Sequence, residues 1–134
     1  MARTIKTGSN GFSLLELMIV LTIIGILVGI AIPMYQSVVL RSRETVLKAN
    51  LHTLREAIDQ YTADKKKAPQ SLEDLVDAGY FREVPEDPMT QSAETWEVVT
   101  DTTIAAPDQT ESGVVDIRSG STAVSSEGTS YNTW

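Results

Sequence analysis

The sequence has 134 residues, no cysteine and a formal net charge of −7. The length leaves room for one modest hydrophobic core besides a membrane segment, and the absence of cysteine excludes disulfides and thiolate metal sites. The acidic balance argues against nucleic acid as a partner.

Residues 1–11 form a short, polar stretch that carries two cations, Arg3 and Lys6. It is too short and too polar to form structure, so we exclude it from the fold as a leader. An ordinary secretory signal would instead be cut after the apolar run that follows, near residue 31, where Pro33 makes a poor cleavage context. Cations flank the run on both sides, so the charge count does not fix its orientation.

Residues 14–32 are apolar except for Glu16 and Thr22. As a helix this run is about 28 Å long, close to the hydrocarbon thickness of a bilayer. A buried helix of a small domain would be shorter and would have a polar face. The run therefore predicts a membrane-spanning helix.

Glu16 places a carboxylate near the start of this helix. An ionised glutamate in hydrocarbon costs about 2 to 3 kcal/mol and usually has a partner. If the chain is cut after Gly11, the new amino group of Phe12 in a neighbouring copy could pair with Glu16. Alternatively, Glu16 lies at the headgroup boundary without a partner. The residues leave both interpretations open.

The leader ending in Gly11, followed by Phe-Ser-Leu-Leu-Glu-Leu-Met-Ile-Val, resembles the prepilin signature of type IV pilins and type II secretion pseudopilins. The resemblance covers about 22 consecutive residues without a gap. It implies that a prepilin peptidase cuts between Gly11 and Phe12 and methylates Phe12, and that Glu16 acts in assembly. Pro33 corresponds to the proline near the end of the hydrophobic helix in this family.

Gly25 and Gly29 form a GxxxG pattern, which lets helices approach closely in lipid. Glycine and proline also weaken helices, so the stretch 25–33, ending in Pro33, is the weakest part of the run. In related filaments this region loses helical structure when subunits pack, and the resemblance implies the same here. A small-residue contact without a change of shape is the alternative.

From residue 35 the helix is expected to continue as an amphipathic segment to residue 63. One apolar stripe recurs at helical spacing: Leu47, Leu51, Leu54, Ile58 and Tyr61. The charged residues are assigned to the other faces, among them Arg43, Glu44, Lys48, Arg55, Glu56 and Asp59. His52 is expected on the solvent side.

Three lysines, 65–67, end this helix and favour its dipole; a membrane-surface or partner role is the alternative. A short helix is predicted over 71–78, with Ser71 as its cap, Asp74 completing an imperfect capping box and Gly79 as its stop. The Leu-Glu-Asp-Leu-Val segment and the following Asp87-Pro88 turn resemble the major type II pseudopilin.

The remainder is expected to be β structure. Residues 96–100 and 114–118 are rich in valine and alternate in polarity, which predicts two strands. A loop with a short strand near 103–104 lies between them. The tail 119–134 ends in Tyr131 and Trp134, which indicates that it docks onto the domain.

These elements predict an α+β fold of the type IV pilin kind, in which a long N-terminal helix packs on a small antiparallel sheet. The expected divisions are a leader at 1–11, a hydrophobic helix at 12–34 and a globular domain at 35–134. The sheet and C-terminal loop occupy 95–134 of that domain.

The resemblance implies a calcium ion in the C-terminal loop, because the major pseudopilins bind one there. Calcium takes six to eight oxygen ligands, usually including several carboxylates. The tail offers only Asp116 and Glu127, and serines and threonines replace the Asp-Gly-rich loop. We therefore expect no cofactor and a loop held by hydrogen bonds, with Asp116 and Glu127 as the candidate calcium ligands.

The resemblance implies a structural subunit: a pseudopilin that assembles into a helical filament and drives export by a type II secretion system. The implied partners are copies of the chain, prepilin peptidase, minor pseudopilins, the inner-membrane assembly platform and membrane lipid before assembly. The implied location is the inner membrane, crossed once, with the C-terminal domain in the periplasm.

The lack of cysteine and the Asp87-Pro88 segment favour this function over the major subunit of a type IV or competence pilus, which is the alternative within the class. A secreted or signal-anchored binding module is a hypothesis of another class. An enzyme has little support, because there is one histidine, no cysteine and no glycine-rich phosphate loop.

Overall fold

The computed structural model describes residues 11–101 and 112–134. Its elements are the helices α1 (Leu14–Lys65) and α2 (Leu72–Asp77), the strands β1 (Glu97–Asp101) and β2 (Gly113–Arg118), and a 3₁₀ turn at Tyr131–Thr133. The chain divides into two compact units, the first ending at Val38 and the second running from Val39 to Trp134. The predicted α+β fold class is confirmed. Most of the predicted leader and the predicted short strand near 103–104 lie outside the described residues.

Helix α1 begins after Ser13, whose side-chain oxygen accepts a hydrogen bond from the Glu16 main-chain N–H at 3.1 Å. This satisfies one of the donors left free at a helix start. The helix passes Pro33 without interruption. It ends at Lys65, two residues later than predicted, where Lys66 takes a left-handed conformation with φ 58°.

The core of the second unit forms around the predicted apolar stripe of α1. All five members of the stripe are buried, and Leu47 and Leu54 are fully so. Burying a side chain of this size contributes about 1.5–3 kcal/mol to stability. The stripe packs against residues from α2, β2 and the 3₁₀ turn, and against the residue that precedes β1: Leu72, Leu75, Val114, Ile117, Tyr131 and Trp96.

Helix α2 ends as predicted but begins differently. Gly79 has φ +88°, and the N–H groups of Gly79 and Tyr80 bond back to the carbonyls of Val76 and Leu75, the hydrogen-bond pair of a Schellman motif. Ser71 occupies the N-cap position, but its side chain makes no capping hydrogen bond. The predicted position of Ser71 is therefore confirmed, whereas its predicted capping hydrogen bond is wrong. The Asp74 carboxylate, at the third helical position, accepts instead from the Gln70 N–H, one residue before the N-cap, at 2.8 Å.

Strands β1 and β2 pair antiparallel, with Val98 opposite Ile117 and an irregularity in register after Val99. Both strands lie within a residue of their predicted positions. The Val114 N–H donates to the Pro69 carbonyl at 2.7 Å, which ties β2 to the segment between the helices. A β-carbon on Gly113 would overlap Ala68, so this close approach requires glycine.

The segment after β2, residues 119–134, returns to the core as its terminal aromatics predicted. Tyr131 is 2% exposed, and its ring meets that of Trp134 edge-on at a centroid distance of 5.1 Å. A bridge between Val124 and Ser130 closes the loop within the segment. We call residues 119–134 the C-terminal segment.

Candidate functional site: the N-terminal helix and the C-terminal segment

The first part of α1 exposes a continuous apolar surface. Large hydrophobic side chains are exposed from Phe12, which is 81% exposed, through Met34. Among the described residues, α1 is the helix whose length and composition would allow it to cross a membrane. A helix that is apolar on all sides needs lipid or packed protein around it. The structure therefore contains a helix that could serve as the predicted membrane anchor.

Glu16 lies in the first turn of α1 and is exposed. It is the third helical residue after Ser13, so the pair has the Ser-x-x-Glu spacing of a capping box. A carboxylate in this position also interacts favourably with the helix dipole. The structure shows the serine half of such a box, in which the Ser13 oxygen accepts from the Glu16 N–H. The predicted role of the Glu16 carboxylate in assembly stays a prediction.

Gly25 and Gly29 are helical, and a β-carbon at either position would meet no atom within 4 Å. Within the described part of the chain, therefore, nothing requires glycine at these two positions. The predicted loss of helix near Pro33 concerns the assembled filament and stays a prediction, as do the roles of Gly11, Phe12 and Glu16.

Glu44 is buried, although the sequence assigned it to a solvent face. Its carboxylate accepts from the Ser126 N–H at 2.7 Å, the Ser126 hydroxyl at 2.5 Å and the Tyr131 hydroxyl at 2.8 Å. The assignment was wrong because Glu44 lies three residues before Leu47 and extends the apolar stripe by one helical step. That spacing was the available signal.

Arg55 was also assigned to solvent and is only half-exposed. Its Nε donates to Asp116 Oδ1 at 2.7 Å, and its Nη2 donates to the main-chain oxygens of Ile117 at 2.9 Å and Trp134 at 2.7 Å. One planar guanidinium thus joins α1, β2 and the end of the C-terminal segment. Nothing in the sequence pattern indicated these contacts.

Asp87 was predicted in a rigid turn, and the structure places it in the interior with 0% exposure. One carboxylate oxygen accepts from the Met89 N–H at 2.8 Å. The other accepts from the Ser119 hydroxyl at 2.5 Å and the Gly120 N–H at 3.3 Å. Asp87 therefore anchors the start of the C-terminal segment.

The two candidate calcium ligands lie in different surroundings. Asp116 pairs with Arg55 and also accepts from the Ile117 N–H at 2.8 Å. Glu127 is exposed and pairs with Lys48 at 3.2 Å. Across residues 11–101 and 112–134, no three acidic or histidine side chains gather at metal-binding distances.

His52 is exposed, as predicted.

An exposed apolar helix with a processing-type sequence at its start, continued into a small α+β unit, defines the class of type IV pilin-like proteins. The family described as "Prokaryotic N-terminal methylation motif" matches residues 6–32. The type II secretion system core protein G of Pseudomonas aeruginosa is 32% identical over an alignment 99 positions long, which covers 62% of this chain and 70% of the relative. The chain therefore belongs to the family of type II secretion system core protein G.

Pilus proteins are similar over a shorter stretch. The type IV major fimbrial protein FimA of Dichelobacter nodosus is 45% identical over 65 residues, and the type IV major alpha-pilin of Moraxella bovis is 47% identical over 52 residues. These matches cover 48% and 39% of this chain, but only 41% and 33% of the relatives. The chain thus spans about two fifths of the FimA length. No solved structure matches the chain.

Proposed function

We propose that the protein is a structural subunit, a pseudopilin, that assembles into the periplasmic pseudopilus of a type II secretion system. The observation that carries the proposal is the extent of the similarity to core protein G, which continues past the apolar helix into the second unit. The similarity to the methylation motif supports processing of the N-terminus. In this function the chain performs no catalysis.

The proposed mechanism has two stages that use the same apolar surface. Before assembly, residues 14–32 hold the subunit in the inner membrane as a single span, and the second unit lies in the periplasm. After cleavage between Gly11 and Phe12 and methylation of Phe12, the helix leaves the lipid and packs against helices of other copies. Packing replaces lipid around the exposed side chains and brings Glu16 to the amino group of a neighbouring Phe12.

The proposed partners follow from these stages. They are membrane lipid and prepilin peptidase before assembly, then other copies of the chain, minor pseudopilins and the inner-membrane assembly platform. The filament, extended from the platform, would push folded proteins across the outer membrane. Nucleic acid has no place in this function, in keeping with the net charge of −7.

A second candidate is the major subunit of a type IV or competence pilus. It is favoured by the higher identity to FimA, 45% over 65 residues. Deletion of the chain from its host separates the two functions. Loss of secreted proteins from the medium supports the pseudopilus, whereas loss of surface filaments or of DNA uptake with normal secretion supports the pilus.

The experiment that tests assembly begins with the mass of the N-terminal peptide of the mature protein, isolated from its native membrane. A peptide that starts at methylated Phe12 is expected. The Glu16→Ala variant should then be processed normally but fail to form filaments, while Glu56→Ala, which removes an exposed carboxylate from the same helix, should assemble. An unprocessed N-terminus, or normal filaments from Glu16→Ala, would contradict this mechanism.

A further inference from the structure

Helix α1 holds the C-terminal segment through side chains along one edge of its buried face. Glu44 binds Ser126 and Tyr131, and Arg55 binds the main-chain oxygen of Trp134. Between them, Lys48 pairs with Glu127 at 3.2 Å and lies 4.7 Å from the centre of the Trp134 ring. The segment is therefore fastened to the helix at several points by direct contacts.

Glu44 is the buried member of this set, at 6% exposure. Burial alone would raise the pKa of its carboxyl, but the hydrogen bonds from Ser126 and Tyr131 outweigh burial and lower the pKa. The ionised carboxylate is thus stabilised by N–H and O–H donors, each a charge-assisted hydrogen bond. The positive charge of nearby Lys48 lowers the pKa further, as the smallest of these contributions.

The same pattern of donors argues against a calcium ion at this segment. Calcium would need six to eight oxygens with free lone pairs directed at one point. The oxygens of Glu44 and Asp87 instead receive N–H and O–H donors, and one oxygen each of Asp116 and Glu127 receives a cationic side chain. Within the described residues, 11–101 and 112–134, the side chains around the C-terminal segment do not fit the ion that the family resemblance implies.

We propose that these direct contacts, centred on the buried Glu44, replace calcium as the device that fixes the C-terminal segment of this protein. Glu44 supplies the negative charge, Ser126 and Tyr131 supply the donors, and Arg55 fixes the end of the segment. The consequence is a second unit that folds and keeps its stability without calcium. This inference does not depend on the proposed function, because it concerns the folded subunit alone.

The test uses the full chain in detergent, with thermal unfolding followed by tryptophan fluorescence in a chelator and in millimolar calcium. Trp96, which is buried, and Trp134 both report on the second unit. The expected midpoint is the same in both solutions. Glu44→Gln should lower it by about 5–10 °C in each, whereas Glu56→Gln, on the exposed side of α1, should leave it unchanged.

A midpoint that falls in chelator and returns with calcium would overturn the proposal, as would a Glu44→Gln midpoint equal to that of Glu56→Gln. Tyr131→Phe removes a single oxygen, and if Glu44→Gln unfolds, the Tyr131→Phe midpoint should still lie below that of Glu56→Gln; an equal midpoint would overturn the proposal. In a double-mutant cycle, Tyr131→Phe should lower the midpoint less in the Glu44→Gln background than in the parent. Equal effects in both backgrounds would mean that the contact fixes nothing.

Discussion

Arg55→Ala should destabilise the second unit more than a half-exposed arginine on a helix ordinarily would. The substitution removes the ion pair with Asp116 and two hydrogen bonds to the main-chain oxygens of Ile117 and Trp134. Both members of the ion pair are 37% exposed, so solvent screening reduces the value of that pair to about 0.5 kcal/mol.

The two hydrogen bonds to main-chain oxygens contribute about 1 kcal/mol each, which brings the expected loss to about 2–3 kcal/mol. For a unit of this size, that loss lowers the unfolding midpoint by about 10–20 °C. Arg55→Lys keeps the charge but lacks the planar fork that reaches three acceptors. Arg55→Lys should therefore lower the free energy of unfolding by about half as much as Arg55→Ala.

The assay is thermal unfolding of the full chain in detergent, combined with limited proteolysis that reports release of the C-terminal segment. Arg43→Ala, which removes an exposed arginine from the same helix, is the matched control and should leave the midpoint unchanged. If Arg55→Ala has the same midpoint as Arg43→Ala, the three contacts of Arg55 contribute nothing to stability. If Arg55→Lys matches the parent, the charge matters and the fork does not.

Tyr131 should titrate late, because burial, followed by its hydrogen bond to Glu44, raises its pKa to about 12; absorbance titration of the folded chain tests this. Because the pKa of Tyr131 is raised in the folded state, this tyrosine contributes stability below pH about 10, and that contribution is lost as the pH rises through about 12. Because the pKa of Glu44 is lowered, its carboxylate contributes stability above the pKa of the unfolded state, and that contribution is lost in acid. A thermal unfolding midpoint that is the same at pH 4 and pH 7 would contradict the predicted contribution of Glu44. Gly120→Ala should destabilise by about 1–3 kcal/mol, because its β-carbon would overlap the main-chain oxygen of Thr95. Gly25→Ala, whose β-carbon meets nothing within 4 Å, is the control in the same thermal assay.

Local sequence patterns predicted most of the elements. The apolar run and its continuation as an amphipathic helix follow from periodicity, because side chains three and four residues apart share a helix face whatever surrounds them. The Schellman end at Gly79 follows from the conformational freedom of glycine. The two valine-rich strands were predicted to within one residue, because the alternation of side chains between the two faces depends on the strand alone.

The polar contacts of the core could not be predicted this way. Glu44 meets Ser126, which is 82 residues away, and Asp87 meets Ser119, which is 32 residues away. A charged residue is assigned to solvent by default, because burying it alone is costly. Only a donor brought from a distant part of the chain reverses that assignment, and helical spacing contains no information about such donors.

The sequence by itself therefore determined the class of protein: a processing-type N-terminus, an apolar helix able to anchor in a membrane, and the stripe on which the second unit packs. The tertiary structure decided how the C-terminal segment is held. The physical reason is that hydrophobic burial depends on the pattern within each element, whereas the stability of a buried carboxylate depends on where the chain places its donors. In this protein those donors come from the last residues of the sequence and reach the long helix only in the folded state.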